Sequence, residues 1–199
     1  MNRIYDYLCQ DIVYADPLEL LIFLGNHDTS RVMKNTADAA NLDRFRQAYA
    51  FLLTTRGIPQ IYYGDEIGMY ADKKDGDGAL RANFPGGWQH DLQNAFARST
   101  RTNEQEQFHA YIQKLLKWRK GNEVIAKGTL KHFAPIQGVY AYERRLDNRS
   151  VVVFINGSDQ DKNIDLGIYQ EIIPSAEATD IISNVSYSFE EELTIKRRE

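Results

Sequence analysis

The sequence predicts an α/β region over residues 1–121 followed by an all-β domain over residues 122–199. Two short apolar runs, residues 20–24 and 58–63, flank an amphipathic helical segment, and this pattern predicts the α/β part. After Glu123 the pattern changes to short β-rich runs separated by turn signals, which predicts the all-β part.

The first region begins with a predicted short helix over residues 2–12, where Ile4, Leu8 and Ile12 recur at every fourth position. A second helix is predicted over residues 42–56, and Gly57 follows where a helix terminator is expected. The apolar run on either side of this helix is typical of a strand covered on both faces of a parallel sheet. Strand, helix and strand then form a βαβ unit, whose crossover makes the strands parallel.

Residues 67–102 form a long stretch without clear periodicity, and a loop of this length in a compact domain is usually functional or disordered. A helix is predicted after it, over residues 104–120. Asn103 is expected to cap this helix, with Glu106 completing a capping box, and Gly121 to end it.

The second region contains seven short β-rich runs, with turn signals at residues 147–148 and 156–158. Strands at this spacing predict a small antiparallel β-sandwich. The runs cover residues 129–133, 139–144, 150–155, 164–166, 179–182, 186–189 and 193–196.

The composition and charge of the chain argue against several classes of partner and site. The net charge is −4 with scattered Lys and Arg, which argues against a nucleic-acid partner. No run approaches the roughly 18 apolar residues that a membrane helix needs, so no membrane partner is predicted. The single cysteine, Cys9, excludes an internal disulfide and is expected to be buried. The four histidines show no metal-ligand spacing, and we predict neither a metal nor another cofactor.

Polar residues capable of chemistry follow the first apolar run directly. In α/β sheets and barrels, active sites are built at the carboxyl ends of the strands. Adjacent Asn, His and Asp side chains are costly to desolvate, so packing does not explain them, although a self-satisfied capping cluster would. The residues are Gly25, Asn26, His27 and Asp28.

Two segments together carry a resemblance to a known family. Residues 23–28 (FLGNHD) resemble the signature at the end of barrel strand seven in the alpha-amylase family of glycoside hydrolases. Residues 57–68 (GIPQIYYGDEIG) resemble the strand-eight signature of the same family. Their order, the helix between them and the β-rich region after them all fit. The resemblance implies the C-terminal part of a (β/α)8 barrel, strands seven and eight with helices, followed by a β-sandwich domain.

The resemblance also implies residue roles. Asp28 corresponds to a catalytic carboxylate that stabilises the oxocarbenium-like transition state, and His27 to a histidine that hydrogen-bonds the same sugar. Asn26 is expected to bind substrate. Asp77 and Arg81 have the spacing of a family pair that contacts a neighbouring sugar, and a simple ion pair within the loop is the alternative. Asp65 and Glu66 are expected to be architectural.

Residues 84–88 (FPGGW) resemble a segment of the neopullulanase and cyclomaltodextrinase branch. This implies starch-derived alpha-glucan oligosaccharides, cyclodextrins or pullulan as substrates and makes Trp88 a candidate for stacking on sugar. Packing of the loop is the alternative role for that indole.

The family's nucleophile and general acid lie on barrel strands four and five, which the two signatures do not cover. The fragment alone is therefore expected to be inactive, and to self-associate or to associate with the missing N-terminal barrel part. A non-catalytic module that binds carbohydrate or a protein is the alternative. An unrelated nucleotide-binding domain is disfavoured because no glycine-rich phosphate loop is present.

Overall fold

A computed structural model describes residues 1–35, 42–173, 177–189 and 192–197. The chain divides into two compact units. The loop unit comprises Leu21–Leu52 and Pro59–Leu116, and the sheet unit comprises Met1–Leu20, Leu53–Ile58 and Lys117–Glu199. The domain boundary near residue 121 stays a prediction. No helix in the described part of the chain is long and apolar enough to cross a membrane.

The predicted strand–helix–strand order is present. Strand β1 (Leu21–Phe23), helix α2 (Leu42–Thr54) and strand β2 (Ile58–Gln60) follow one another, and the two strands are hydrogen-bonded neighbours. The two strands are not covered on both faces in this chain: Leu21, Phe23 and Ile58 are 58%, 44% and 54% exposed.

The core of the loop unit forms where α2 meets the long helix α4 (Asn103–Lys120). Phe45 lies edge-on to Phe108, with ring centroids 4.5 Å apart, and both are fully buried. Burying such a side chain contributes about 1.5–3 kcal/mol relative to leaving it exposed. Gly68, at φ +73°, approaches the Phe108 ring so closely that an added Cβ would lie 2.4 Å from it.

The segment between β2 and α4 is more ordered than the sequence predicts. It contains a 3-10 turn at Lys73–Asp75, the short helix α3 (Asp77–Leu80) and another 3-10 turn at Arg98–Thr100. Each of these segments is too short to complete a helical repeat, so the hydrophobic periodicity of the sequence did not predict them. Arg101 secures the last stretch by donating to the carbonyls of Ala95 and Phe96.

The predicted cap of α4 is wrong by one residue. The Thr102 hydroxyl accepts from the backbone N–H of Gln105 at 3.2 Å, and the Gln105 side chain accepts from the N–H of Thr102 at 3.0 Å. This is a reciprocal capping box. Glu106 instead pairs with Arg98 and Arg101, which removes it from the cap.

The sheet unit begins with α1 (Asn2–Leu8), which continues as a 3-10 helix over Cys9–Val13 rather than as one α-helix. Cys9, the first residue of this 3-10 segment, is exposed, contrary to expectation. A short helix α5 (Glu123–Lys127), absent from the sequence prediction, is capped by Asn122, whose side chain accepts from the N–H of Val124.

The antiparallel strands that follow lie close to their predicted positions and form three small sheets. Strands β3, β4 and β5 make one sheet in that order, β6 pairs with β9, and β7 pairs with β8. The seven strands are β3 (Thr129–His132), β4 (Val139–Leu146), β5 (Arg149–Asn156), β6 (Lys162–Asp165), β7 (Glu177–Thr179), β8 (Ser186–Ser188) and β9 (Glu192–Ile195).

The hairpin between β4 and β5 turns at Asp147 and Asn148, as the turn signal predicts. Asp147 has a φ of +54°, a conformation that Asp and Asn tolerate better than most residues. The core beneath these strands centres on Tyr169, whose ring packs edge-on against Phe133 and Phe154 at 5.2 and 5.4 Å. Antiparallel sheets are therefore present, while the sandwich arrangement stays a prediction.

Two arginines of the sheet unit satisfy carbonyls at the C-terminal end of α2. Arg119 donates to Leu53 O at 2.7 Å and to Gly57 O at 3.1 Å, and the fully buried Arg144 donates to Thr54 O at 3.3 Å. A helix C-terminus carries partial negative charge, which favours cations there. Burial lowers the pKa of Arg144 to about 10, so its guanidinium remains charged at neutral pH.

Candidate active site

The loop after β1 is shaped by hydrogen bonds of Asn26. Its side-chain oxygen accepts from the backbone N–H of Asp28 at 2.9 Å and from that of Thr29 at 3.1 Å. The Thr29 hydroxyl accepts from the N–H of Asn26 at 3.0 Å, which closes the turn. Gly25 begins the turn, and an added Cβ there would lie 3.1 Å from Ser30 O, which is a tight contact. This turn presents His27 and Asp28 to solvent.

The two carboxylate oxygens of Asp28 lie close to two different residues. His27 Nε2 lies 3.1 Å from Asp28 Oδ2, and Arg81 Nη2 lies 3.2 Å from Asp28 Oδ1. The side chains of Asp28 and His27 remain 59% and 61% exposed. Each carboxylate oxygen has two lone pairs, so Asp28 retains acceptor capacity towards a ligand.

Arg81 joins the two candidate carboxylates. Its Nη2 lies 3.3 Å from Asp77 Oδ2 as well as contacting Asp28, and its Nε donates to the backbone carbonyl of His27 at 3.3 Å. Asp77 is also paired with the Lys73 ammonium, and this hydrogen bond and charge lower the pKa of Asp77. Two carboxylates and two cations therefore form one network, which we call the Asp28 network: Asp28, Arg81, Asp77 and Lys73.

A buried ion pair between Arg31 and Asp65 lies next to this network in the chain's fold and contacts the residue before Arg81. Arg31 is fully buried and donates to Asp65 Oδ1 at 2.9 Å, and the Tyr49 hydroxyl donates to Asp65 Oδ2 at 2.6 Å. Burial raises the pKa of Asp65, and the Tyr49 and Arg31 contacts oppose that rise. Burial, with the nearby Asp65 charge, also raises the pKa of Tyr49.

Arg31 connects the loops that follow the two strands. Its guanidinium donates to Tyr63 O at 2.7 Å and to Leu80 O at 3.0 Å, one residue before Arg81. It also stacks over the Tyr62 ring, 4.4 Å from the centroid. The sequence pattern did not identify Arg31 as a residue of the site. Asp65 could have indicated it, because an acid in a buried stretch needs a cationic partner.

Trp88 is not brought into the Asp28 network. Its indole is 67% exposed, and its backbone N–H donates to Asp91 Oδ2 at 3.1 Å. In the described part of the chain, no hydrogen bond, ion pair or ring contact links Trp88 to Asp28 or Arg81. The role of Trp88 stays a prediction. The described residues also contain no cluster of three or more His, Cys, Asp or Glu arranged to hold a metal.

Comparison with protein-family models identifies two domains. Residues 9–94 match the alpha amylase catalytic domain, and residues 130–199 match the cyclo-malto-dextrinase C-terminal domain. The first match contains the whole Asp28 network. The second begins within β3.

Two relatives found by sequence comparison agree with these domain matches. An alpha-amylase of Niallia circulans is 33% identical over 171 residues, covering 86% of this chain and 28% of that protein. A cyclomaltodextrin glucanotransferase of Bacillus sp. (strain 38-2) is 34% identical over 146 residues, covering 73% of this chain and 18% of the relative. The chain therefore spans less than a third of the length of either relative.

Solved structures share the fold. The Anoxybacillus alpha-amylase superposes with a TM-score of 0.74 at 20% identity, covering 98% of this chain and 40% of that one. The gamma-CGTase of the alkalophilic Bacillus clarkii superposes with a TM-score of 0.73 at 26% identity, covering 98% of this chain and 28% of that one. The chain belongs to the alpha-amylase family of glycoside hydrolases and carries a segment of the catalytic domain together with a C-terminal domain.

Proposed function

We propose that this chain supplies part of the active site of a retaining alpha-glucan hydrolase, as strands seven and eight of a (β/α)8 barrel followed by a β-sandwich domain. The observation that carries the proposal is the contact of Asp28 with both His27 and Arg81 at the end of β1. The substrates proposed are starch-derived oligosaccharides, cyclodextrins or pullulan. Among the structural neighbours, a Geobacillus thermoleovorans alpha-amylase was solved with acarbose and AmyP with maltotriose.

In this proposal Asp28 stabilises the transition state without forming a bond to the sugar. Hydrogen bonds to sugar hydroxyls strengthen as the ring distorts towards the oxocarbenium-like geometry, so they favour the transition state over the substrate. Arg81 orients the Asp28 carboxylate through the contact at 3.2 Å. His27, whose imidazole is exposed beside Asp28, hydrogen-bonds the same sugar.

Asp77 and Arg81 are proposed to contact the next sugar. The Asp77 carboxylate already accepts from Arg81 and Lys73, so a sugar hydroxyl would share an acceptor that is held in place. A preorganised acceptor loses little freedom on binding, which favours affinity. Asn26 is proposed to act on the substrate through the turn that it closes, and Trp88 by stacking.

The 199-residue chain alone is proposed to be inactive. A retaining glycosidase needs a nucleophile and a general acid about 5 Å apart, and the acid needs a raised pKa. The other acid in the network is Asp77, and its hydrogen bond and charge contact with Lys73 lower its pKa. Asp77 is therefore unsuited to donate a proton, and the two missing groups are proposed to come from other barrel strands.

The exposed apolar side chains of Leu21, Phe23 and Ile58 fit the same proposal. Apolar side chains beside an unpaired strand edge favour association. The proposed occupant is the remaining part of the barrel, and self-association is expected when that part is absent. A monodisperse monomer with cooperative melting would count against this.

The test compares the 199-residue chain with a version extended to a complete barrel, each with and without Asp28→Asn. Hydrolysis of maltoheptaose, cyclodextrin and pullulan is measured. We expect only the extended protein to cleave, and Asp28→Asn to abolish cleavage while leaving oligosaccharide binding detectable. Cleavage by the short chain would overturn the assignment. Binding without cleavage by the extended protein would support a non-catalytic carbohydrate-binding module instead.

A further inference from the structure

Side chains from elsewhere in the chain hold the backbone on both sides of Arg81. The Leu80 carbonyl accepts two side-chain hydrogen bonds, at 3.0 and 3.3 Å, and the Ala82 carbonyl accepts one at 2.8 Å. The three donors, which we call the Arg81 clamp, are Arg31 Nη2 and the Tyr62 hydroxyl on the first carbonyl, and the Tyr63 hydroxyl on the second.

The members of the Arg81 clamp pack on one another. The Arg31 guanidinium lies over both tyrosine rings, 4.4 Å from the Tyr62 centroid and 5.0 Å from the Tyr63 centroid. The two rings contact each other edge-on, with centroids 4.7 Å apart. Arg31 is itself fully buried, donates to Tyr63 O at 2.7 Å and pairs with Asp65. The hydroxyl donors are therefore carried by rings that are already held in place.

The backbone at Arg81 needs such support. Helix α3 is a single turn, and Arg81 follows it as the C-cap residue. A helix this short is not stable by itself, and its last carbonyls have no partners within the helix. Leu80 is fully buried, which anchors the turn on its apolar side. The Arg81 clamp supplies donors at and just after this helix end, so it fixes the backbone from which the Arg81 side chain extends.

The side-chain contacts of Arg81 are too weak to position it alone. Its side chain is 47% exposed, and it contacts Asp28 and Asp77 at 3.2 and 3.3 Å. Exposed ion pairs contribute little because water screens them and long side chains lose rotamer freedom in forming them. A fixed backbone limits the positions that the guanidinium can take. Arg31 follows Asp28 by three residues, so the clamp also links the Asp28 turn to the backbone of Arg81.

We propose that the Arg81 clamp is a positioning device for the reaction, and that Tyr63 is a positioning residue that acts through Arg81 on Asp28. The inference rests on the proposed function, in which Asp28 stabilises the transition state. Tyr63 acts without touching the sugar: its hydroxyl holds the carbonyl after Arg81, and Arg81 orients the Asp28 carboxylate. A purely structural role would make the effect of Tyr63 independent of Arg81.

Tyr63→Phe is the variant that tests this without unfolding the chain. It removes one hydroxyl from a residue that is 40% exposed, whereas replacing the buried Arg31 would leave Asp65 without its partner. In the barrel-completed protein we expect Tyr63→Phe to lower kcat/KM for maltoheptaose about three- to tenfold, the range for one lost hydrogen bond. In an Arg81→Ala background we expect the same substitution to change kcat/KM by less than about twofold, because no guanidinium is left to position.

Tyr111→Phe is the matched control. It also removes a hydroxyl that donates to a backbone carbonyl, that of Arg46 at 3.0 Å, outside the Arg81 clamp. We expect it to change kcat/KM by less than about twofold with or without the Arg81 side chain. Circular dichroism melting confirms that each variant is folded.

A second measurement does not depend on hydrolysis. Arg81 Nε donates to the His27 carbonyl at 3.3 Å, and NMR of protein with isotope-labelled arginine follows the resonance of this N–H. Arg81→Ala identifies the resonance by removing it. We expect Tyr63→Phe to shift and broaden the Arg81 resonance and Tyr111→Phe to leave it unchanged.

Equal losses from Tyr63→Phe with and without the Arg81 guanidinium would overturn the proposal. An unchanged Arg81 resonance, or a wild-type kcat/KM, in the Tyr63→Phe protein would also overturn it. If the barrel-completed protein does not hydrolyse maltoheptaose, the proposed function fails and the resonance still decides whether Tyr63 positions Arg81. Hydrolysis that depends on Asp28 but shows no coupling between Tyr63 and Arg81 overturns only the positioning role.

Discussion

The Arg81 guanidinium contacts the carboxylates of Asp28 and Asp77 through the same nitrogen, at 3.2 and 3.3 Å. Arg81 therefore fixes the distance between two acids that come from different loops. A single cation that orients two carboxylates acts through its geometry as well as through its charge. A substitution that keeps the charge but changes the geometry therefore tests the positioning role.

Arg81→Lys in the barrel-completed protein is expected to lower kcat/KM for maltoheptaose by about tenfold or more. A lysine ammonium is a point charge that does not reproduce the planar fork of donors, so the Asp28 contact and the His27 carbonyl contact are not kept together. Steady-state kinetics measure the loss. Lys73→Ala is the matched control, because Lys73 contacts Asp77 but not Asp28, and a smaller effect is expected. Equal losses in both variants would contradict a positioning role.

Asp65→Asn is expected to destabilise the chain by about 3–5 kcal/mol. The substitution leaves the Arg31 charge buried without a compensating carboxylate, and breaking a buried pair on one side carries that cost. Urea denaturation followed by circular dichroism measures the change. Glu66→Gln, at the neighbouring and more exposed acid, is expected to change stability by less than about 0.5 kcal/mol. Similar losses would show that Asp65 has no special structural role.

Thr102→Ala is expected to destabilise the chain by about 1 kcal/mol, because it removes the hydroxyl that caps α4. Asn103→Ala is expected to have a smaller effect, since Asn103 is already inside the helix. Thr102→Ser should restore most of the loss. Thermal melting of the three variants decides between the two cap assignments, and a larger loss for Asn103→Ala would favour the original sequence-based one.

The order of elements was predictable because periodicity is a property of local sequence. The helices that the sequence predicted and nearly every strand lie within a few residues of their expected positions, as the α2 and β4 bounds illustrate. The cap of α4 was misplaced because Thr102 and Asn103 are both good capping residues, and only the backbone geometry selects Thr102. The short turn at Lys73–Asp75 gave no signal because three residues do not complete a period.

The candidate site was predictable in its residues but not in its connections. Asp28 and Arg81 were singled out from two separate motifs, and their contact across 53 positions is a tertiary fact. Arg31 was invisible because a buried arginine and a surface arginine look alike in sequence. Its burial depends on Asp65 and on the carbonyls of Tyr63 and Leu80, which come from a later part of the chain.

His132 gives the sheet unit a predicted pH dependence. Its Nδ1 lies 2.9 Å from the Tyr140 hydroxyl, and its ring packs against Tyr5 with centroids 5.0 Å apart. Burial lowers the pKa of His132, Arg56 lowers it further, and Asp11 opposes the shift. The folded chain therefore favours the neutral imidazole. The associated stability is fully present above the unfolded pKa of about 6.5 and is lost as pH falls through and below that value.

His132→Asn is expected to remove most of this dependence, because the amide can replace the hydrogen bond to Tyr140 without taking up a proton. Melting temperatures measured from pH 7.5 to pH 5 should fall by a few degrees more in the parent chain than in the variant. His90→Asn, at an exposed histidine, is the matched control and should behave like the parent. A parent chain whose melting temperature rises on acidification, or a variant with an unchanged slope, would show that His132 is not the group responsible.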